Sequence, residues 1–193
     1  MDTLFSTLAE GFDLPILQWL QANLWCPFLD AVMVPVTHLA DGGALWIAMA
    51  LILLLFPKYR KAGLTMGAAL LMGLVVCNLT MKPLFARIRP FEYELLHFGR
   101  NVELLIAAPA DFSFPSGHTL ASFQAATALF LCHKKAGIAA LVLAALIAFS
   151  RLYLYVHYPT DVLFSVGMGV LFGFWAFRIL SKRKKSPSDS SKL

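Results

Sequence analysis

Three short polar clusters interrupt an otherwise apolar chain, and each contains side chains that can bind or exchange protons or anions. The clusters are Lys82 with Arg89-Pro90, then Pro115-Ser116-Gly117-His118, then Ser150-Arg151 followed by His157 and Asp161. Charged groups flanked by apolar segments are energetically costly and usually serve a function. Arginine presents a fork of donors that matches phosphate oxygens, and histidine can act as acid, base or nucleophile near neutral pH. This set of side chains indicates a site that binds a phosphate group and transfers it.

The first cluster follows an apolar segment that ends at residue 81. Lys82 comes directly after this segment, and Arg89 lies seven residues further on. Both side chains could hold phosphate oxygens. Alternatively, they are interfacial cations whose aliphatic stems lie along the membrane while their charges reach water. Taken alone, this cluster favours the second interpretation.

The second cluster has the pattern of an anion-binding helix start. Pro115 cannot continue a preceding helix, and Gly117 allows the backbone to approach a ligand closely. The free N–H groups of the following helix and the Ser116 hydroxyl could bind an anion. His118 beside them could donate a proton to a departing oxygen. The alternative is a capped helix, with Ser116 as the N-cap and His118 as an interfacial residue.

The third cluster places a carboxylate four residues after a histidine. His157 lies in a connection, and Asp161 falls in the first turn of a helix that Pro159 begins. A carboxylate there can accept a hydrogen bond from one imidazole nitrogen and leave the other free as a nucleophile. The alternative is a helix-start acid beside an interfacial histidine, an interpretation that gives Arg151 no role.

Taken together, the three clusters resemble the signature of the type 2 phosphatidic acid phosphatases, which are membrane relatives of the vanadium haloperoxidases. The matching patterns are Lys82-x6-Arg89-Pro90, Pro115-Ser116-Gly117-His118 and Ser150-Arg151-x5-His157-x3-Asp161, and the likeness covers residues 28–180. The resemblance implies that His157 forms a phosphohistidine, that Asp161 orients it, and that His118 protonates the leaving group and then activates water. It also implies a set of groups that hold the phosphoryl oxygens, namely Lys82, Arg89, Ser116, Gly117 and Arg151.

The resemblance implies a lipid phosphate as substrate: undecaprenyl diphosphate, phosphatidylglycerol phosphate or phosphatidate. It implies no cofactor and no metal, and the acids predicted on the same side form no ligand-spaced pair with histidine; they are Asp41, Glu92, Glu94, Glu103 and Asp111. The net charge of +5 is divided among short loops and a tail, so nucleic acid is not an expected partner. The alternatives are a vanadate-dependent haloperoxidase and a transporter or channel bundle without hydrolytic activity. The sequence leaves the oligomeric state open.

The composition indicates an all-α membrane protein. Hydrophobic residues make up 59% of the chain and charged residues 14%, whereas soluble domains carry about 25% charged residues. We predict a bundle of six membrane helices. The first lies in the segment 14–39, of which residues 28–39 insert, and the others cover residues 44–57, 62–81, 118–132, 136–155 and 159–180. Residues 1–180 are predicted to form one domain, with 1–24 amphipathic or interfacial and 181–193 a disordered tail.

The distribution of positive charge predicts the orientation in the membrane. Lysine and arginine concentrate at residues 58–61, at 133–135 and from 178 onward, which is typical of the cytoplasmic side. Both termini are therefore expected in the cytoplasm, and all three clusters at the extracytoplasmic face of the cell membrane. On that face, Thr37, His38 and Asp41 are expected to stabilise a turn or touch the head group, and Arg87 to reach a second phosphate or lipid head groups.

Overall fold

The computed structural model describes residues 2–182, and every regular element in this range is a helix. The helices are α1 Asp2–Leu8, α2 Leu14–Leu24, α3 Pro27–His38, α4 Ala44–Leu55, α5 Arg60–Gly73, α6 Lys82–Phe85, α7 Pro90–Phe98, α8 Gly117–Cys132, α9 Lys134–Tyr153 and α10 Pro159–Lys182. Two π-helical segments, Ala9–Asp13 and Leu74–Met81, join neighbouring helices. The predicted all-α class is confirmed for this range. The predicted tail, apart from residues 181 and 182 at the end of α10, lies outside the described residues.

Three helical stretches are long and apolar enough to cross a membrane: Arg60–Phe98, Lys134–Tyr153 and Pro159–Lys182. A fourth candidate combines Pro27–His38 with Asp41–Leu55, two helices that meet at an angle of 45°. Helix α8 has 16 residues, slightly fewer than the roughly 17–25 that a spanning helix uses. The chain is therefore a membrane protein with three or four candidate spans among residues 2–182.

Helix α8 lies at the centre of the bundle, where it packs against α5, α9 and α10. Close contact with α10 depends on glycine: a Cβ atom at Gly173 would lie 2.7 Å from Thr127 Cβ, and one at Gly169 would lie 2.8 Å from Phe123 Cβ. Small residues let the backbones of membrane helices approach closely. The approach brings the first turns of α8 and α10, which carry two of the polar clusters, to the same end of the bundle.

The apolar segment over residues 14–39 divides between residues 24 and 27, where the sequence also separates an interfacial part from a part predicted to insert. Cys26 has an extended backbone and Pro27 begins a new helix, so the segment divides into α2 and α3. Proline fits the first turn of a helix because it has no N–H to leave unpaired. Helix α2 contacts α7, where the Gln18 side chain donates to Glu94 Oε1 over 3.0 Å. In this arrangement Asp13, at the end of the N-terminal π-helical segment, contacts Thr160 next to Asp161 of the third cluster.

The connection between α9 and α10 turns sharply and carries His157. Tyr155 adopts a left-handed conformation with φ of 61°, which is uncommon for a residue with a side chain. Its ring is buried, and its hydroxyl donates to Glu94 Oε1 over 2.7 Å. This contact with α7 holds the turn in place, so that the backbone of Val156 and the ring of His157 face the first cluster.

Candidate active site

A cavity of about 310 Å³ lies where the ends of α3, α6, α8 and α9 meet. Residues from all three clusters line it, together with residues from the end of α3 and from the loop after α7. The lining side chains with charged or ionisable groups are His38, Asp41, Lys82, Arg89, Asp111, His118, Arg151 and His157. The structure therefore brings together segments that are far apart in the chain, as the sequence analysis expects.

His157 is buried, and its two ring nitrogens have different surroundings. Nε2 lies 3.3 Å from an arginine nitrogen of Arg89, which can only donate. Nδ1 lies 3.5 Å from Asp161 Oδ2. Nε2 is therefore the nitrogen with the lone pair, and Nδ1 carries the proton, which suits Nε2 for nucleophilic attack.

The electrostatic surroundings keep the His157 ring neutral. Complete burial, followed by the charges of Arg89 and Arg151, lowers the pKa of His157 well below its ordinary value. Burial removes the water that would stabilise the charged ring, and nearby cations repel a further positive charge. The imidazole is consequently unprotonated at neutral pH, the form that a nucleophile needs.

Lys82 projects into the cavity from the start of α6, and Arg89 projects into it from the position just before α7. Arg89 donates to the carbonyl oxygens of Asp111 and Val156 over 2.8 and 2.6 Å, which fixes the direction of its guanidinium group. Lys82 and Arg89 also share the Asp111 carboxylate, which Arg89 reaches over 2.5 Å. Two positive groups are thus fixed beside His157, where phosphoryl oxygens would need them.

Arg151 enters the cavity from the last turn of α9 and is buried. One of its terminal nitrogens donates to the Thr37 hydroxyl of α3. Its Nε has no hydrogen-bond partner among residues 2–182. A buried guanidinium with an unused donor beside a cavity can bind an anion with little rearrangement.

The second cluster is only partly arranged as the sequence predicts. Gly117 and His118 line the cavity at the start of α8. Ser116 is absent from the cavity lining: its hydroxyl lies 3.0 Å from Thr119 Oγ1, and its N–H donates to Ser165 Oγ over 2.8 Å. Ser116 therefore joins α8 to α10, because its backbone N–H is already used. Its predicted contact with phosphate remains a prediction.

A family model decides the identity of this fold and site. The PAP2 superfamily model matches residues 62–185, a range that contains all three clusters. The chain belongs to the PAP2 superfamily. The predicted type 2 phosphatidic acid phosphatase resemblance is thereby confirmed, and with it the prediction of a membrane hydrolase of the lipid phosphatase class.

Similar PAP2 proteins support this assignment. Undecaprenyl-diphosphatase of Sulfolobus acidocaldarius is 35% identical over 67% of this chain, which spans 59% of that relative's length. Undecaprenyl-diphosphatase BcrC of Bacillus subtilis is 33% identical over 84% of this chain and 90% of its own. The crystal structure of a PAP2-type phosphatidylglycerolphosphate phosphatase from Bacillus subtilis is 25% identical, with a TM-score of 0.68 over 97% of this chain and 90% of that chain.

Arg87 in this PAP2 protein does not face the cavity, in contrast to the expected contact with a second phosphate. It is buried and donates to Asp161 Oδ1 over 2.5 Å and to Asp13 Oδ2 over 2.7 Å. Thr160 donates to the same Asp13 carboxylate through its N–H and its hydroxyl, over 2.9 and 2.7 Å. Arg87 is therefore a positioning residue that holds the carboxylate behind the His157 ring.

Asp161 has two further partners that fix its second oxygen. Ser113 donates to Oδ2 over 2.5 Å, and the Tyr158 N–H donates to the same atom over 3.1 Å. The Ser113 oxygen is also 3.5 Å from His157 Nδ1. The predicted orienting role of Asp161 fits this geometry. Ser113 went unrecognised in the sequence because a serine in a loop of mixed composition carries no distinguishing signal.

Asp41 bridges two histidines at the mouth of the PAP2 site. Its Oδ1 lies 2.8 Å from His118 Nε2, and its Oδ2 lies 2.7 Å from His38 Nδ1. A carboxylate in contact with an imidazole stabilises the protonated ring and fixes its orientation. Asp41 therefore stabilises more than the turn after α3: it positions the histidine predicted to act as the general acid.

Replacing Asp41 with asparagine should lower kcat for a lipid monophosphate about tenfold, since an amide cannot stabilise a protonated His118 as a carboxylate does. The alkaline limb of the pH–rate profile should move to lower pH for the same reason. Steady-state phosphate release between pH 5 and 9 measures both effects. His38→Gln, which changes only the outer partner, is the control. A profile for Asp41→Asn that coincides with the wild-type profile would contradict the positioning role.

Asp111 occupies Lys82 and Arg89 with its own carboxylate, and its side chain is 57% exposed. Burial raises the pKa of Asp111, but the hydrogen bond and charge of Lys82 and the charge of Arg89 outweigh it and hold the pKa below the ordinary value. The Asp111 carboxylate is therefore an anion, and it competes with a bound phosphate for Lys82 and Arg89.

Replacing Asp111 with asparagine should strengthen inhibition by inorganic phosphate by about two- to fivefold, as expected for removing a partly exposed ionic competitor. The inhibition constant can be measured against hydrolysis of a water-soluble short-chain lipid phosphate. Glu103→Gln, in the same loop, is the matched control. Weaker inhibition in Asp111→Asn would show that this carboxylate organises the two cations instead of competing for them.

Residues 2–182 contain no group of three or more histidine, cysteine, aspartate or glutamate side chains placed to hold a metal ion. The prediction that catalysis needs no metal or cofactor is not tested by this finding and remains a prediction. The positive groups in the cavity are Lys82, Arg89 and Arg151.

Proposed function

We propose that the protein removes a terminal phosphoryl group from a membrane lipid through a phosphohistidine at His157. The candidate substrates are undecaprenyl diphosphate, phosphatidylglycerol phosphate and phosphatidate. Relatives named for the first two support this class of substrate. The membrane-spanning helices fit a substrate whose tail stays in lipid while its head group enters the cavity.

One observation carries the proposal: two imidazoles, one at the start of α8 and one in the connection between α9 and α10, line the same cavity as three cations. His157 is positioned to attack, because its ring lines the cavity and its Nε2 lies 3.3 Å from Arg89, one of the cations that would hold the phosphoryl group. His118 lines the same cavity and is in contact with Asp41. A nucleophile, an acid and fixed positive charge are the parts that phosphoryl transfer needs when positioning and electrostatic stabilisation supply most of the catalysis.

In the first step His157 Nε2 attacks phosphorus. A P–N bond forms as the P–O bond to the lipid breaks, and the bonding electron pair leaves with the lipid oxygen. Protonated His118 donates a proton to that oxygen. Lys82, Arg89 and Arg151 stabilise the charge that builds up on the phosphoryl oxygens, together with the backbone N–H groups at the start of α8 from Gly117 onward.

In the second step water attacks the phosphohistidine, and neutral His118 accepts a proton from it. The P–N bond breaks, its electron pair returns to Nε2, and inorganic phosphate leaves. Asp161 keeps the Nδ1 proton in place throughout, so the same tautomer of His157 is regenerated. No metal or other cofactor takes part in either step.

The proposal includes the orientation of the protein in the membrane. Six helices would cross the cell membrane as one domain over residues 1–180, with both termini cytoplasmic and the cavity at the extracytoplasmic face. The placement of all three clusters at one end of the bundle supports this, as does the opposite placement of Lys134 and Lys135 beside Tyr59. Labelling of single cysteines at residue 41 or residue 134 with a membrane-impermeant maleimide in intact cells should modify only the first.

The activity can be tested by phosphate release from short-chain phosphatidate, phosphatidylglycerol phosphate and farnesyl diphosphate in detergent, with and without EDTA. Hydrolysis that persists in EDTA supports the proposal. Hydrolysis of none of the three, or activity only with an added divalent metal, would refute it. Rapid acid-free quenching with ³²P-labelled substrate should also trap label on the protein, and that label should be stable in alkali and lost in acid, as a P–N bond requires.

A further inference from the structure

A second cavity of about 390 Å³ adjoins the phosphate site and runs between α4, α5 and α8. The two cavities share Lys82, Asp111, Gly117 and His118 as lining residues, so one opens into the other. Away from these residues the second cavity is mostly apolar, with leucines such as Leu70 on its walls. A lipid whose phosphate is bound by the cations could extend from the site into this groove.

Two carboxamide side chains, Asn78 and Gln124, lie on the wall of this apolar groove. Gln124 is only 2% exposed. Asn78 Oδ1 and Gln124 Oε1 are buried, and neither has a hydrogen-bond partner within residues 2–182. Buried polar atoms are nearly always hydrogen-bonded, so two unpaired acceptors in one groove require an explanation.

The backbone makes room for these groups. A Cβ atom at Gly73 would lie 2.2 Å from Gln124 Oε1, so any other residue there would displace the amide. Asn78 Nδ2 lies 3.6 Å from the position that a Cβ atom of Gly117 would take. One amide is therefore directly beside the glycine of the phosphate site, and the other has space reserved for it in the packing of α5 against α8.

Asn78 lies beside the phosphate site. It precedes Lys82 by four residues, in the π-helical segment Leu74–Met81, and lines the same groove as Lys82 and Gly117. In a glycerol 3-phosphate unit, the hydroxyl on the second carbon from the phosphoryl oxygen is four bonds from phosphorus, so it stays next to the bound phosphate. An unpaired carbonyl oxygen needs a donor, and a hydroxyl provides one. A polyprenyl chain carries no donor at this position.

We propose that Asn78 and Gln124 form a hydroxyl-binding subsite that selects lipid phosphates with a free hydroxyl on the second carbon from the phosphoryl oxygen. The head-group glycerol of phosphatidylglycerol phosphate and the backbone of a monoacylglycerol phosphate both have this hydroxyl. Polyprenyl phosphates and diacyl phosphatidate lack it. The inference rests on the proposed lipid phosphatase function and narrows its substrate.

Two matched substrates test the subsite: 1-acylglycerol 3-phosphate and 1-acylpropanediol 3-phosphate, which differ only in the hydroxyl. The wild-type protein should hydrolyse the first with a kcat/KM roughly tenfold higher, as expected for one well-placed hydrogen bond in a buried site. In Gln124→Leu and Asn78→Leu this ratio should fall to about one. The ratio is measured within each variant, so a reduced folded fraction affects both substrates equally and cancels.

Thr127→Val is the matched control, because Thr127 is also buried on α8 but packs against Gly173 and is not a lining residue of the groove. Its substrate ratio should equal that of the wild type. Equal kcat/KM for the two lipids in the wild type would overturn the subsite, as would a preserved preference in both leucine variants. Hydrolysis of neither lipid nor farnesyl phosphate would instead refute the phosphatase function itself, so the two failures are distinguishable.

To tell which source the hydroxyl comes from, the same comparison can be made with short-chain phosphatidylglycerol phosphate and its 2′-deoxy head-group analogue. A preference in this pair and in the monoacyl pair would show that the subsite recognises the hydroxyl wherever the rest of the lipid lies. A preference confined to one pair would still support the subsite and would assign its substrate to that lipid.

Discussion

Replacing His157 with alanine is expected to lower kcat for every lipid phosphate by at least about 10⁴-fold, because removal of a covalent nucleophile eliminates the reaction path itself. The structure gives the reason: the ring is buried, and its Nε2 lies 3.3 Å from Arg89, which can only donate a hydrogen bond. Alanine leaves no other nucleophile at that point of the cavity. Phosphate release and the trapped ³²P label should both disappear in this variant.

The control for this experiment is His133→Ala, which removes a histidine at the opposite end of the bundle, beside Tyr59. It should retain both hydrolysis and the label. Gel filtration and thermal unfolding in detergent establish that each variant is folded. Label trapped in His157→Ala in wild-type amount would mean that a different residue attacks phosphorus, and the proposed mechanism would be wrong.

Replacing Arg151 with lysine is expected to lower kcat/KM by about 10²- to 10³-fold, the usual effect of removing one donor from a preorganised oxyanion site. Lysine keeps the positive charge but loses the planar fork. In the structure this fork donates to Thr37 while Nε remains unpaired among the described residues. A single ammonium group cannot bind Thr37 and reach phosphoryl oxygens in the same geometry.

The kinetic comparison separates this role from a purely structural one. Loss of transition-state binding should appear mainly in kcat, whereas a disturbed fold should also lower the unfolding temperature. Arg60→Lys is the matched control, since Arg60 donates to the Leu54 carbonyl at the other end of the bundle. Wild-type kinetics in Arg151→Lys would contradict a phosphate-binding role for this guanidinium group.

Local features of the chain were sufficient to predict the helices that carry the clusters. Gly117 at the start of α8 and Pro159 at the start of α10 are typical residues at helix boundaries, and both helices begin within one residue of the predicted position. A division between residues 14–24 and a segment from Phe28 onward was also predicted, and the structure has two helices there, Leu14–Leu24 and Pro27–His38. Hydropathy measures preference for lipid but does not show in which direction each helix runs; contacts such as that of Gln18 with Glu94 decide the direction.

Supporting residues of the site were harder to predict than the residues in the cavity. Arg87 lies two positions from Arg89 and has the same chemistry, yet one side chain faces the cavity and the other lies behind it. The difference comes from Asp13, which accepts a hydrogen bond from Arg87 and lies on the side of Asp161 away from the cavity. A cation's partner cannot be identified from sequence when many acids are possible and the chain path is unknown.

The chemical groups of the protein and the family to which it belongs could be predicted from the sequence, because residue type, order and spacing are local properties of the chain. The helical class and the membrane location could be predicted too, because apolar runs of that length have few other stable environments. Which groups share a cavity and which support it became clear only from the folded chain. Asp13 contacts Thr160 across 147 positions of the chain. The packing of α8 against α5 brings Gln124 and Gly73 together and places in an apolar groove an amide oxygen that has no partner among residues 2–182. Such contacts depend on how helices pack in three dimensions, a property that no short segment contains.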